Sequence, residues 1–400
     1  MSPVLCLLPL VLSADVPAAQ PVTLAEARMR ALRAGPELLL ARQREQVARA
    51  QVDVAGALPN PTVGVTTARL TARLTTSLLQ PLPLFGQRGA GIDAARADAE
   101  AAHLDIAAVA VDARLGVTAA WLELWAAQER TRLLQQAAAD AARVADIAHD
   151  RFAAGSGPRV DEVRTTGERA RARAEADAAA LAVPAAGARL GVWLGEGAWR
   201  ADGAPSLGPL PDETQALQQL FEQHPALRRD RAQALAAAQH VRAEQRARWP
   251  IVAAQVVIAQ NDPTTPGTDV IGGLSFEAPV LSRRGGAIAH ARAEQYLAEL
   301  TAEVDLRRLT AQLIDAYRQS DAAALRARAL ASDVLPALEE ALRMTEGGYR
   351  DGRVDLLRVL DAQRALLEAR LAAMDAQATW QRALAELERA IGIPVAGEAP

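Results

Sequence analysis

Lysine is absent from the 400 residues, and all 44 basic side chains are arginine, which reads as a genomic compositional bias rather than a functional signal. Against 48 acidic residues they leave a net charge of −4. No basic excess is available to neutralise phosphates, which argues against a nucleic-acid partner. Cysteine occurs once, at Cys6, so a disulfide framework, a cysteine metal cluster and a cysteine nucleophile are excluded from the folded part. Aromatic residues make up only 3%, and cores built on bulky rings are not expected. No stretch reaches the roughly 18 uninterrupted apolar residues of a membrane helix. A chain of this kind could cross a bilayer only as a barrel.

What is present begins with a short apolar run, Val4 to Leu12, followed by Ala14, Ala18 and Ala19. It fits the apolar region of a secretory signal over residues 1–20. The fit departs from the usual pattern because the first basic residue is Arg28; an ordinary disordered terminus is the alternative.

The remainder is a duplication. The run Pro83-Leu84-Phe85-Gly86-Gln87-Arg88-Gly89-Ala90-Gly91-Ile92-Asp93-Ala94-Ala95-Arg96-Ala97 aligns without a gap to the run from Pro279 to Ala293. Repeats are therefore expected over 21–196 and 213–393, with a Gly/Pro-rich linker at 197–212 and a tail at 394–400. Each repeat reads as helix, two short strands, very long helix, helix. In the first, a helix is expected over 24–57, strands within 62–82, a proline-free helix over 85–152 and a helix over 160–194 bent near Pro184. In the second, a helix leads to Pro250, strands lie within 251–278, and helices run over 283–350 and 354–391. At 1.5 Å per residue the proline-free helix would be about 100 Å long, far beyond a globular-domain helix. The two shorter helices of each repeat together match the long one in length, so stacked end to end they would run beside it. Each repeat is then a long antiparallel rod, and its Ala-rich faces with Leu, Ile and Val every three or four residues suit coiled-coil packing.

The strands are the feature a soluble coiled coil does not need. Val252, Ala254, Val256 and Ile258 alternate with Ala253, Gln255 and Val257, and Val270, Gly272, Leu274 and Phe276 alternate with Gly273, Ser275 and Glu277. Segments of roughly 9–11 residues with one apolar face suit a membrane barrel; a solvated hairpin is the alternative reading of the strands alone. Four strands cannot close a barrel, and open edges are not tolerated in lipid. Two copies would give about eight strands with a filled interior, while three give about twelve and leave a lumen. The expected fold class is mainly α with a small β part: duplicated long coiled-coil hairpins forming an α-barrel, plus four strands contributing to a 12-stranded trimeric transmembrane barrel.

This plan, with Leu58-Pro59-Asn60-Pro61 before the first strands and Pro81-Leu82-Pro83-Leu84-Phe85-Gly86-Gln87-Arg88 after them, resembles the TolC-like outer-membrane efflux proteins. The Pro-Leu-Phe-Gly-Gln-Arg run looks most like their CzcC heavy-metal branch. The resemblance covers 23–393. It implies a homotrimeric exit duct in the outer membrane of a Gram-negative bacterium, in contact with outer-membrane lipid and extending helices into the periplasm. Its implied partners are a periplasmic adaptor (membrane fusion protein) and an inner-membrane RND pump, its implied cargo heavy-metal cations. It implies no enzymatic activity and no cofactor. Phe152-x-x-Gly155 followed by Asp161, and Tyr349-x-x-Gly352 followed by Asp361, match the family's hairpin turns. By that match Phe152, Gly155, Ser156, Gly157 and Asp161, with Tyr349, Gly352, Arg353 and Asp355, would meet the adaptor, and Asp361 and Arg358 would sit at the entrance gate. The sequence departs from drug-type members at Arg358, which occupies the place of a second acid; three copies of Asp361 would still converge on the axis. The alternative is that Asp361 and Arg358 form a solvated pair three residues apart.

Other signals carry less. Gly89-Ala90-Gly91-Ile92-Asp93-Ala94 resembles a dinucleotide fingerprint, but the helix after it is far too long for a βαβ crossover. His103, His149, His224, His240 and His290 lack a second ligand at metal spacing and read as solvated or capping residues. Arg88 and Arg284, at equivalent strand-to-helix junctions, read as anchors for backbone or lipid headgroups. From a different class, a soluble periplasmic coiled-coil scaffold or adaptor is the rival function; within the duct class, a drug-efflux or type I secretion channel is.

Overall fold

A computed structural model describes residues 19–67, 74–205, 210–260, 267–277 and 283–393. Most of the expected signal, the end of the first expected strand at 68–70 and the tail at 394–400 lie outside the described residues. The chain begins with strand β1 (Gln20–Val22), helices α1 (Leu24–Ala34) and α2 (Pro36–Gly56), and strands β2 (Thr62–Thr66) and β3 (Leu74–Leu82). Helices α3 (Gln87–Ala153), α4 (Arg159–Ala180) and α5 (Ala182–Leu194) follow, then strand β4 (Trp199–Ala201). The second half runs α6 (Glu213–Gln223), α7 (Pro225–Ala247), β5 (Ile251–Gln260), β6 (Thr268–Glu277), α8 (Gly285–Ala329), α9 (Leu335–Arg350) and α10 (Leu356–Ile391).

Three helices expected to be continuous are interrupted beside a proline, and the bend expected near Pro184 is a break. The helix expected over 24–57 is α1 and α2: Gly35 is extended and Pro36 opens α2, where its missing N–H is harmless. Thr23 starts α1 with a reciprocal capping box to Glu26. The helix before Pro250 is likewise α6 and α7, parted at His224-Pro225. The seam between α4 and α5 falls at Leu181, because Pro184 cannot donate to the carbonyl four residues back. Ahead of Pro336 the backbone of the long second-half helix takes a π turn over Leu330–Val334, which joins α8 to α9.

The stretch expected to be linker contains β4, which pairs in parallel with β1. Three-residue strands have no period to betray them; they are held by tertiary contacts. Val22 is fully buried, and its carbonyl accepts a hydrogen bond of 2.9 Å from Trp121 Nε1.

The chain divides into two compact units that each draw on both repeats: described residues up to Gly35 with Arg114 to Gly208 and Ser320 to Ala385, and Pro36 to Ala113 with Pro209 to Gln319 and residues from Glu386 on. The core of the first gathers Val22, Ala31, Val117, Trp121, Trp125, Leu190, Trp199 and Met374. Few aromatics does not mean aliphatic cores: Trp121, Trp125, Trp199 and Trp380 are all buried. The second packs Ala216, Leu220, Leu227, Leu313, Leu387 and Ile391.

The second unit also carries the four-stranded sheet, in antiparallel order β2-β3-β5-β6. The register places Val63, Val65, Leu78, Leu82, Val252, Val256, Ile258, Val270, Leu274 and Phe276 on one face. Thr62, Gly64, Ser77, Gln255, Asp269, Gly273, Ser275 and Glu277 lie on the other, which also carries Leu79, Ile251, Val257 and Ile271. The apolar face is open to solvent within this chain, with Leu274 74% and Phe276 72% exposed. β2 and β6 have no second neighbour among the described residues.

Candidate functional site

Two helical turns of the first unit contain most of the residues singled out in the sequence. α3 ends in a turn where Ser156 N–H donates to Arg151 O at 2.9 Å and Gly155 N–H to Phe152 O at 3.0 Å. α9 ends the same way, with Arg353 N–H donating to Gly348 O at 2.8 Å and Gly352 N–H to Tyr349 O at 3.0 Å. Both are Schellman closures, which satisfy the last helix carbonyls and demand a left-handed residue. Gly155 (φ +68°) and Gly352 (φ +73°) supply it.

The turns are joined through Arg151. Its guanidinium donates to Tyr349 O at 2.9 Å and to Ser156 O at 3.3 Å, and lies 4.7 Å from the centre of the Tyr349 ring. Tyr349 is buried over a small apolar cluster of Val144, Leu356, Val359 and Leu360, and its hydroxyl donates to Asp161 Oδ2 at 3.5 Å. Burial, then the Asp161 charge, pushes the Tyr349 phenol up from its ordinary value. Asp161 itself sits in the first turn of α4, where the helix N-terminus favours an acid. Beside it, His149 on α3 meets Glu162 on α4 at 2.8 Å. That bond raises the His149 imidazole from its ordinary value.

Asp355 N-caps α10, accepting from Arg358 N–H at 3.0 Å. Arg353 pairs with Asp351. Phe152, Gly155, Ser156, Gly352, Arg353, Asp355, Arg358 and Asp361 are exposed, while Gly157 and Asp161 are half-buried. Arg358 and Asp361 lie one turn apart on α10, and no ion pair joins them among the described residues. The structure thus gathers Ser156 and Tyr349 around Arg151, a residue the sequence did not flag, and brings Asp161 to the Tyr349 hydroxyl. Duplication hid it, because the position matching Arg151 in the second turn is Gly348, where a Cβ would lie 2.5 Å from Val354 Cγ2.

Of the histidines expected to be solvated or capping, His224 caps a helix and the others pair with acids. His224 is buried and N-caps α7: Nδ1 accepts from Ala226 N–H at 3.2 Å and Nε2 donates to Arg389 O at 3.1 Å. Burial lowers its pKa and keeps it neutral. His103 pairs with Glu45, His240 with Asp98 and His290 with Glu294. Among the described residues no three His, Cys, Asp or Glu side chains converge as a metal site would require, and no helix is long and apolar enough to cross a membrane.

Long proline-poor helices, paired Schellman turns and an unclosed sheet with a bare apolar face fit a known kind of molecule. Residues 28–196 and 216–393 match the outer membrane efflux protein family. The chain belongs to that family. Among its relatives is the cobalt-zinc-cadmium resistance protein CzcC of Cupriavidus metallidurans, 28% identical over 84% of this chain and 81% of that protein. A membrane protein from Pseudomonas aeruginosa superposes with a TM-score of 0.77 at 21% identity, over 92% of this chain and 90% of that one. The outer membrane protein VceC of Vibrio cholerae does so with 0.74 at 19%, over 93% and 97%. The fold is therefore that of the TolC-like α-barrel channels, and membership in the efflux family makes this chain a passive outer-membrane efflux duct with a periplasmic helical part, not an enzyme. The soluble scaffold reading falls with it.

Proposed function

We propose that the chain works as a homotrimeric exit duct for heavy-metal cations, delivered by an inner-membrane RND pump through a periplasmic adaptor. The observation that carries this reading is the sheet: an apolar face left bare and, among the described residues, two strand edges without a neighbour. In lipid both edges need partners, and three copies supply a closed ring of about twelve strands with room for a lumen. The opposite face, which carries the sheet's Gly64, Ser77, Gln255, Gly273, Ser275 and Glu277 between aliphatic residues, then lines that lumen. The metal cargo is supported by the likeness to CzcC and is tested by the metal sensitivity of a deletion strain; unchanged tolerance of cobalt, zinc and cadmium would remove it.

The two helical turns are read as the adaptor-docking end. Phe152, Gly155, Ser156, Arg353 and Asp355 offer exposed contacts there, and Gly157, Asp161, Tyr349 and Gly352 hold the turns in shape. Asp361, with Arg358 one turn before it, is assigned to the entrance, where three carboxylates around the axis would attract cations. Asp361→Ala is expected to leave folding unchanged, since the side chain is exposed. It should weaken divalent-cation block of single channels in planar bilayers. Unaltered conductance and block would remove Asp361 from the gate.

A further inference from the structure

Between its two packed clusters the first unit leaves a gap. Along one face of α3 the row of inward residues runs from Leu133, in the large core, to Val144, in the small cluster beside Tyr349. Between them it passes through Ala137 and Ala141, and α4 contributes Ala172 to the same space. Side chains this short do not reach the leucines of the neighbouring helices, and a half-open cavity of about 200 Å³ remains among α3, α4, α9 and α10. Its floor is Leu133, Leu342, Leu360 and Leu366, all buried. Native interiors close most voids of this size. An apolar cavity with a few polar groups around it is the usual form of a small-ligand site.

The polar residues around the cavity select the charge of its ligand. The acids are Asp140, Glu168, Glu175 and Glu368, and the bases are Arg171, Arg364 and Arg370. Every one of these guanidinium groups is engaged. Arg364 Nη2 donates to Glu168 Oε1 at 2.6 Å, Arg171 Nε to Glu175 Oε1 at 2.9 Å, and Arg370 Nη2 to Glu339 Oε1 at 2.9 Å. Asp140 pairs with Arg143 at 2.5 Å. Of the four acids, Glu368 alone forms no ion pair among the described residues, and it is exposed. An anion would meet guanidinium groups already neutralised, whereas a cation finds a free carboxylate at the edge of a leucine-lined space. A bare metal ion needs several donors at once, and no three converge among the described residues. The fit is to a cation that carries its own apolar body.

We propose that this cavity binds a small organic cation, an amine on a hydrophobic tail, with the tail on the leucine floor and the ammonium on Glu368. The inference is independent of the barrel and of the cargo, since every residue it uses lies in the helices of the first unit. Full-length protein in lipid nanodiscs is titrated with 4-phenylbutylamine, and with 4-phenylbutanol and 4-phenylbutyrate as neutral and anionic forms of the same tail. Binding is read by saturation-transfer NMR against empty nanodiscs, and its place by hydrogen exchange. The amine is expected to bind saturably and about tenfold more tightly than the alcohol, with the carboxylate weakest. It should slow exchange over 133–141 and 360–370 but not in the turn at 152–157. Glu368→Gln, at an exposed position, should bring the amine down to the affinity of the alcohol. Ala137→Leu and Ala172→Leu, which fill the space from two different helices, should each abolish binding of both. Absence of saturable binding, an amine no tighter than the alcohol, or binding unmoved by Glu368→Gln would overturn the proposal, as would protection confined to other segments.

Discussion

At its helical turns the chain satisfies itself; at its sheet it does not. The carbonyls that close α3 and α9 find N–H donors a few residues on, and Arg151 ties one turn to the other. Among the described residues the sheet leaves two strand edges unpaired and its apolar residues exposed. A self-satisfied polar surface can engage a partner reversibly, because nothing in it fails when the partner leaves. An unfinished sheet needs its partners to exist at all, since each unpaired backbone group in lipid is expensive. On the proposed function, the difference separates permanent association at the strands from exchangeable docking at the turns.

The contrast breaks most visibly at the sheet. Leu274→Arg puts a charge in the apolar face, at an expected cost of about 2–4 kcal/mol near the bilayer midplane, and should abolish recovery of the oligomer from membranes. Ser275→Arg, on the opposite face, should cost far less; equal losses would show that both faces meet the same surroundings. Next in size, Arg151→Ala removes two charge-assisted bonds and should lower amide protection from Gly348 to Val354 by roughly 1.5–3 kcal/mol in hydrogen exchange. Gly155→Ala and Gly352→Ala each force a left-handed alanine and should cost about 1–2 kcal/mol locally. No backbone or side-chain clash adds to this at either site, so clearly unequal losses would contradict the equivalence of the turns.

The smallest effects are those of pH, and they have opposite signs. His224 has a folded pKa below its ordinary 6.5. The stability it contributes is present above 6.5 and is lost as pH falls toward the lower folded value. His149 is raised above 6.5, so its pairing with Glu162 contributes fully below that pH and fades as pH rises through the folded value. With intrinsic exchange divided out, the protection factor at the start of α7 should fall on acidification, and that where α3 meets α4 should fall on mild alkalinisation. Parallel responses would refute one assignment or the other.

Much of this was readable in the residues because its signals are local or repeated. The proline-free run from Phe85 to Phe152 announces α3, alternation from Val252 to Ile258 announces β5, and the Phe152-x-x-Gly155 and Tyr349-x-x-Gly352 spacings announce the turns. What was missed depends on contacts distant in sequence. β1 and β4 are three residues each and exist because Val22 and Trp199 enter one core. Arg151 has no counterpart in the second repeat, and its partner Tyr349 lies in another helix nearly half the chain away. The interrupted helices were the avoidable miss, since Gly35-Pro36 and His224-Pro225 are visible stop signals.

The central claim is that sister copies complete the sheet, and interchain cross-linking tests it most directly. Cysteines placed one at a time along β2 are combined with one on β6 in a chain whose Cys6 has been replaced, and membranes are oxidised before denaturing electrophoresis. The expected outcome is a ladder of covalent dimer and trimer, strongest at positions directly opposed across the new edge and ending at three copies. Oxidation that yields only monomer at every β2 position, in membranes where the protein is intact, would contradict it.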